Sequence, residues 1–175
     1  MLALFSAGLV LGGMLSALVL WLASGLPSPV PQPVRHALVV ALAGLGVLRD
    51  AGVVRFPLPQ NARQVPRDVL NRDVVRGSLR FGFELGTGVR TYVPATSPYV
   101  LAAALLLSTP DLATAALTGA GFGLGRALTP LTRYAGRAGE SWDVALRSRL
   151  PAVTVGGALA LAAGLAVLLF RPPAS

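Results

Sequence analysis

A glutamate, an arginine and a set of threonines stand inside an apolar stretch that would otherwise be plain hydrocarbon. The stretch reads Phe81-Gly-Phe-Glu-Leu-Gly-Thr-Gly-Val-Arg-Thr-Tyr-Val-Pro-Ala-Thr-Ser-Pro98. Glu84 and Arg90 supply opposite charges, and Thr87, Thr91 and Thr96 supply hydroxyls. Pro94 and Pro98 each remove a backbone donor and disfavour helix at the residue before them. Polar groups at membrane depth are costly, so they line a cavity or face the interior of a helix bundle. This chemistry suits a substrate or ion site: Glu84 takes a proton or cation, and Arg90 holds an anionic group. A structural ion pair that fixes helix register is the competing reading. The two residues are six apart, about 600° around a regular helix, so a direct pair needs the nearby break. Arg126, near a glycine-rich stretch, is the other expected partner for Glu84.

The elements that must carry these residues are apolar runs. Of the 175 residues, 54% are hydrophobic and 13% charged, with mean hydropathy +0.67. A soluble domain carries about 25% charge, so the composition indicates an integral membrane protein. The length suits one domain, taken as residues 1–175. Runs at Leu2–Ser24, Val34–Val54, about 79–108, Leu112–Leu128 and Pro151–Phe170 predict an all-α membrane bundle of about five spans. The span at 79–108 is expected to be broken near Pro94–Pro98, helical to about Tyr92 and again from Pro98 to Leu107. The first run reads as a retained helix, with a signal peptide as the alternative, because no charge precedes Arg35.

Small residues mark expected helix contacts. Gly8, Gly12 and Ser16 repeat every fourth residue, and Gly82/Gly86 and Gly121/Gly125 form G-x-x-x-G pairs. Such faces let backbones approach closely, and the two pairs are expected to meet each other. Between the runs, Pro27, Pro29, Pro31 and Pro33 forbid helix and predict a short connection in an extended turn. Arg49-Asp50 reads as a pair of end residues at the membrane boundary. A second basic loop is expected over 126–150, with a short interfacial helix at Ser141–Leu150.

All 15 basic residues are Arg, against seven acids, for a net charge of +8. The usage matches the coding bias of a GC-rich bacterial genome. With few aromatics and no recognition motif, nucleic acid is not an expected partner. Arg collects in 55–78 and 129–150. If both face the cytoplasm, five crossings leave the N-terminus inside a bacterial cytoplasmic membrane. There is no Cys and one His, so neither a metal site nor a cofactor is expected, and thiol redox chemistry is excluded within this chain. No nucleophile–base pair or acid/base cluster indicates an enzyme.

Gly82-Phe-Glu-Leu-Gly86, followed by Pro94-Ala-Thr-Ser-Pro98 and the glycine-rich 119–125 stretch, resembles the CcdA/DsbD-type membrane thiol carriers over residues 77–130. That family implies a glycine-rich helix leading to a Pro-Cys break within two inverted repeats. Its cysteines would fall near Ala95 and have no counterpart here, so the resemblance implies the scaffold without thiol transfer. The chain also looks similar to actinobacterial membrane proteins with Gly-x-Gly-Val-x-Thr-like motifs. The expected function is that of a transporter or membrane subunit of an export system, using Glu84, Thr87, Arg90, Thr91, Pro94, Thr96 and Arg126. The alternative is a non-transporting scaffold that binds the bilayer and a membrane or cytoplasmic partner, such as an enzyme or redox protein.

Overall fold

A computed structural model describes residues 2–58, 74–88, 95–136 and 139–170. These residues form six helices and no strand: α1 (Leu2–Ala23), α2 (Gln32–Asp50), α3 (Val74–Gly86), α4 (Ser97–Ser108), α5 (Leu112–Gly136) and α6 (Gly139–Phe170). The all-α expectation holds. Among the described residues, two helical stretches are long and apolar enough to cross a membrane, Leu2–Ala23 and Val144–Phe170. At 1.5 Å per residue, α4 spans only about 18 Å, short of a hydrocarbon core of about 30 Å.

The helices end where sequence-local chemistry stops them. After α2, Gly52 takes φ +78, and Val53 N–H bonds to Leu48 O while Gly52 N–H bonds to Arg49 O. That pattern is a Schellman stop, for which glycine is favoured. At α3, Gly88 at φ +71 plays the corresponding part. The helix therefore ends at Gly86, earlier than the expected Tyr92. Thr87 Oγ1 donates to the freed Glu84 carbonyl at 2.8 Å. α4 begins at Ser97, with Pro98 in its first turn, where the missing N–H removes no helical bond.

The proline-rich connection is a series of turns, in which Leu26, Ser28 and Val30 each donate to the carbonyl three residues back. Three expectations change. α2 takes in Pro33, in its first turn, where helix was not expected. The basic stretch 126–150 is mostly helical. α5 runs through Pro130 to Gly136, and α6 runs from Gly139 through Pro151 with no separate interfacial helix. Ala, Leu and Arg are strong helix formers there, and Thr132 and Thr154 bond carbonyls within their own helices near the two prolines. Six helices thus replace five runs, because the broken segment supplies two.

The chain divides into two compact units. The first holds α3, α5 and the α1 residues up to Val19. The second holds α2, α4 and the α6 residues from Leu146 onward.

In the first unit α1 meets α3 and α5 backbone to backbone. A Cβ on Gly82 would strike the Phe5 backbone, and one on Gly86 the Leu9 backbone. In return, Gly8 and Gly12 face the α3 backbone around Leu79, Phe83 and Gly86. Ser16, the third member of that face, donates to Thr87 O at 3.0 Å. Gly13 packs on Gly119, and Gly123 on Leu9 and Val10. The expected mutual contact of the two G-x-x-x-G pairs is therefore corrected. Gly82 and Gly86 face α1, while Gly121 and Gly125 have nothing within 4 Å. The α5 contact is displaced by two residues, about 200° around the helix.

In the second unit α2 lies antiparallel to α4 and α6. The Arg35 end of α2 reaches Leu107 of α4, and His36 reaches Leu169 of α6. The Asp50 end reaches Thr96. Val39 and Ala43 of α2 and Val100 and Ala104 of α4 are buried.

Candidate functional site

The sequence-predicted residues separate. Arg90, Thr91 and Pro94 lie outside the described residues. Glu84 forms its ion pair with Arg80, one helical turn back, at 3.1 Å. Arg126 instead sets its guanidinium over the Phe122 ring, 5.7 Å from the centroid. The expected Glu84–Arg126 pair is not what α3 and α5 form, because each charge has found a partner on its own helix. Arg80 is 67% exposed, so this i,i+4 pair contributes only about 0.3–0.5 kcal/mol on the measure of exposed helix pairs.

Thr96 belongs to a tighter constellation. The Asp50 side chain is 1% exposed. Its carboxylate accepts the Thr96 backbone N–H at 2.9 Å and the Thr96 hydroxyl at 2.7 Å. Arg49 donates to the same carboxylate at 3.1 Å. Thr96 is the N-cap residue of α4, and its own side chain caps nothing within the helix. Asp50 therefore serves as the cap from a neighbouring helix and places a negative charge at the positive end of the α4 dipole. At the other end, the buried Arg35 donates to Leu107 O at 3.0 Å and places a positive charge at the C-terminus. α2 thus clamps α4 at both ends with charges matched to its dipole. Gly46 makes room for the junction, since a Cβ there would press on Thr96 Oγ1 and Val100.

Asp50 was missed as a site residue because its partner lies 46 residues away. The available signal was a carboxylate closing one apolar run and a Thr-x-Pro cap opening another.

Beside the junction lies an open cleft of about 580 Å³. Arg49, Asp50, Arg55 and Phe56 line one side, and Leu150, Pro151 and Thr154 of α6 the other. Arg49 is fixed there, its Nε–H on the Phe56 carbonyl and its guanidinium 5.6 Å from the Phe56 ring centroid. No group of three or more metal-ligating side chains occurs among the described residues.

The chain is similar to methylamine utilization protein MauF of Methylorubrum extorquens, with 34% identity over 141 residues. The match covers 74% of this chain and 48% of MauF, so the chain spans about half the length of the curated relative it matches. No protein-family model and no solved structure matches it.

Proposed function

We propose that this chain is a multi-pass membrane protein serving methylamine utilization, where it acts as a non-transporting scaffold for a partner protein. The similarity to MauF carries the pathway assignment. The packing supports the scaffold role: α1, α3 and α5 meet at backbone contacts, and Glu84 and Asp50 are both engaged in helix-level pairs. With no cysteine in the chain, any thiol chemistry belongs to the partner. In this reading the protein crosses a bacterial cytoplasmic membrane five times, the 79–108 segment counting once. The N-terminus and the basic segments 55–78 and 129–150 face the cytoplasm.

Transport is the second reading. It is favoured by one observation, the buried Asp50 carboxylate at the start of a short helix beside an open cleft. Deleting the gene and growing the host on methylamine separates the readings. The scaffold reading expects growth on methylamine to fail, growth on ammonium to persist, and uptake of labelled methylamine to stay normal. Lost uptake in the deletion strain would move the assignment to transport. Unchanged growth on methylamine would remove the pathway assignment.

A further inference from the structure

The cleft at the Asp50 end of the second unit has the makeup of a lipid-headgroup site. Its charged lining is Arg49, Arg55 and Asp50, a net of one positive charge. Asp50 is turned to Thr96 and Arg49 and is 1% exposed, so it presents little negative surface to an incoming anion. Arg49, held by Asp50 and Phe56, lines the cleft with its guanidinium in a fixed position. Arg55 is exposed and takes part in no ion pair among the described residues. The rest of the wall is apolar, made of Val54, Phe56, Leu150 and Pro151.

Depth points the same way. The apolar stretch Val144–Phe170 has 27 residues, about 40 Å of helix against a hydrocarbon core of about 30 Å. Counting about 20 residues back from Phe170 reaches Pro151. Leu150 and Pro151 then sit where acyl chains give way to headgroups. The opposite end of α2 agrees, because His36 meets Leu169 at the far end of α6.

We infer that this cleft binds one anionic phospholipid, with its phosphodiester between Arg49 and Arg55 and an acyl chain along Phe56, Leu150 and Pro151. A monoanionic phosphodiester matches the single net charge, and the apolar wall gives a lipid an advantage over free phosphate. The inference rests on the membrane reading above.

Native mass spectrometry of the full chain in detergent tests it, with phosphatidylglycerol, phosphatidylcholine and inorganic phosphate as separate probes. Phosphatidylglycerol should be retained about fivefold or more over phosphatidylcholine, the effect expected of one basic side chain at an anionic headgroup. Arg55→Gln should abolish that preference and Arg55→Lys should restore it. Equal retention of the two lipids by the unaltered protein overturns the site. So does a preference that survives Arg55→Gln, or inorganic phosphate displacing phosphatidylglycerol at equal concentration. Membrane fractionation of the same chain keeps the two ideas apart. A chain found in the soluble fraction sinks the membrane reading, whereas lost lipid preference in a membrane-bound chain sinks only the site.

Discussion

The contact of α1 with α3 and the contact of α2 with α4 solve one problem by opposite means. The first works by leaving side chains out. Gly8, Gly12, Gly82 and Gly86 let two backbones touch, and Ser16 adds one hydrogen bond to Thr87 O. The second puts charged side chains in, with Asp50 on the N-terminus of α4 and Arg35 on its C-terminus. On the membrane reading proposed above, lipid gives little hydrophobic drive between helices, so packing and polar contacts must supply the association. The glycine contact tolerates no added volume but makes no demand on pH or charge. The clamp tolerates some change in shape but depends on a buried carboxylate.

The comparison breaks most visibly at Gly82. Gly82→Leu places a side chain against the Phe5 backbone, which cannot give way as a flexible side chain would. The cost should lie at or above the ~3 kcal/mol top of the usual overpacking range, seen as a collapse in folded yield from detergent extraction. Gly121→Leu is the matched contrast. It adds the same volume on α5 where nothing lies within 4 Å, so its melting temperature should stay close to that of the unaltered protein. Equal damage from both would show that the backbone contact at α1 is not what makes glycine necessary.

The clamp is sharpened by treating its two ends separately. Asp50→Ala removes the hydrogen bonds that the carboxylate accepts from Arg49 and from the N–H and hydroxyl of Thr96. Breaking a buried charged pair from one side costs about 3–5 kcal/mol; Arg49 keeps some solvent contact, so the low end is expected. Arg35→Met should cost less. It loses the bond to Leu107 O but also removes a buried Nε that has no hydrogen-bond partner among the described residues, and that relief offsets part of the loss. Thermal unfolding of the two variants checks the order. A larger loss from Arg35→Met would place the weight of the clamp at the C-terminus of α4.

How much of this was legible from the sequence follows from the range of each signal. The break before Pro98, the end of α2 at Arg49-Asp50 and the small-residue face Gly8-Gly12-Ser16 are local, and each is written in consecutive residues. Which face of α5 meets α1 is not local. Gly119, Gly121, Gly123 and Gly125 alternate along one helix, and both i,i+4 registers satisfy the same motif. Only the partner helix chooses between them, and it chooses Gly119 and Gly123. Asp50 illustrates the same limit for charge. A terminal Arg-Asp pair reads as a boundary marker until Thr96 arrives beside it from the other side of the break. The end of α5 and the start of α6 are not legible locally, because charge and proline signal a loop, whereas Arg and Ala favour helix strongly enough to carry the chain through Pro130 and Pro151.

The smallest effect concerns a cap that, unlike Asp50, stays within its own turn. Asp111 precedes α5, and its carboxylate accepts the Thr114 N–H at 2.7 Å. That backbone hydrogen bond, aided by the Thr114 side chain, holds the Asp111 carboxyl below its ordinary value of 3.8. A carboxyl lowered in the fold contributes stability that is fully present above 3.8 and disappears as pH falls through the still lower folded value. Asp111→Ala should therefore lower the melting temperature slightly at neutral pH, in the manner of a lost N-cap. The gap from the unaltered protein should close as the pH drops below the carboxylate range. Asp111 is fully exposed, so salt should narrow the gap as well. Asp50 is buried, and the deficit of Asp50→Ala should respond far less to salt. Melting curves of both variants in low and high salt make the comparison. Equal salt sensitivity would mean that the α4 clamp is a surface interaction like the α5 cap, and the contrast between a buried and an exposed helix start would fail.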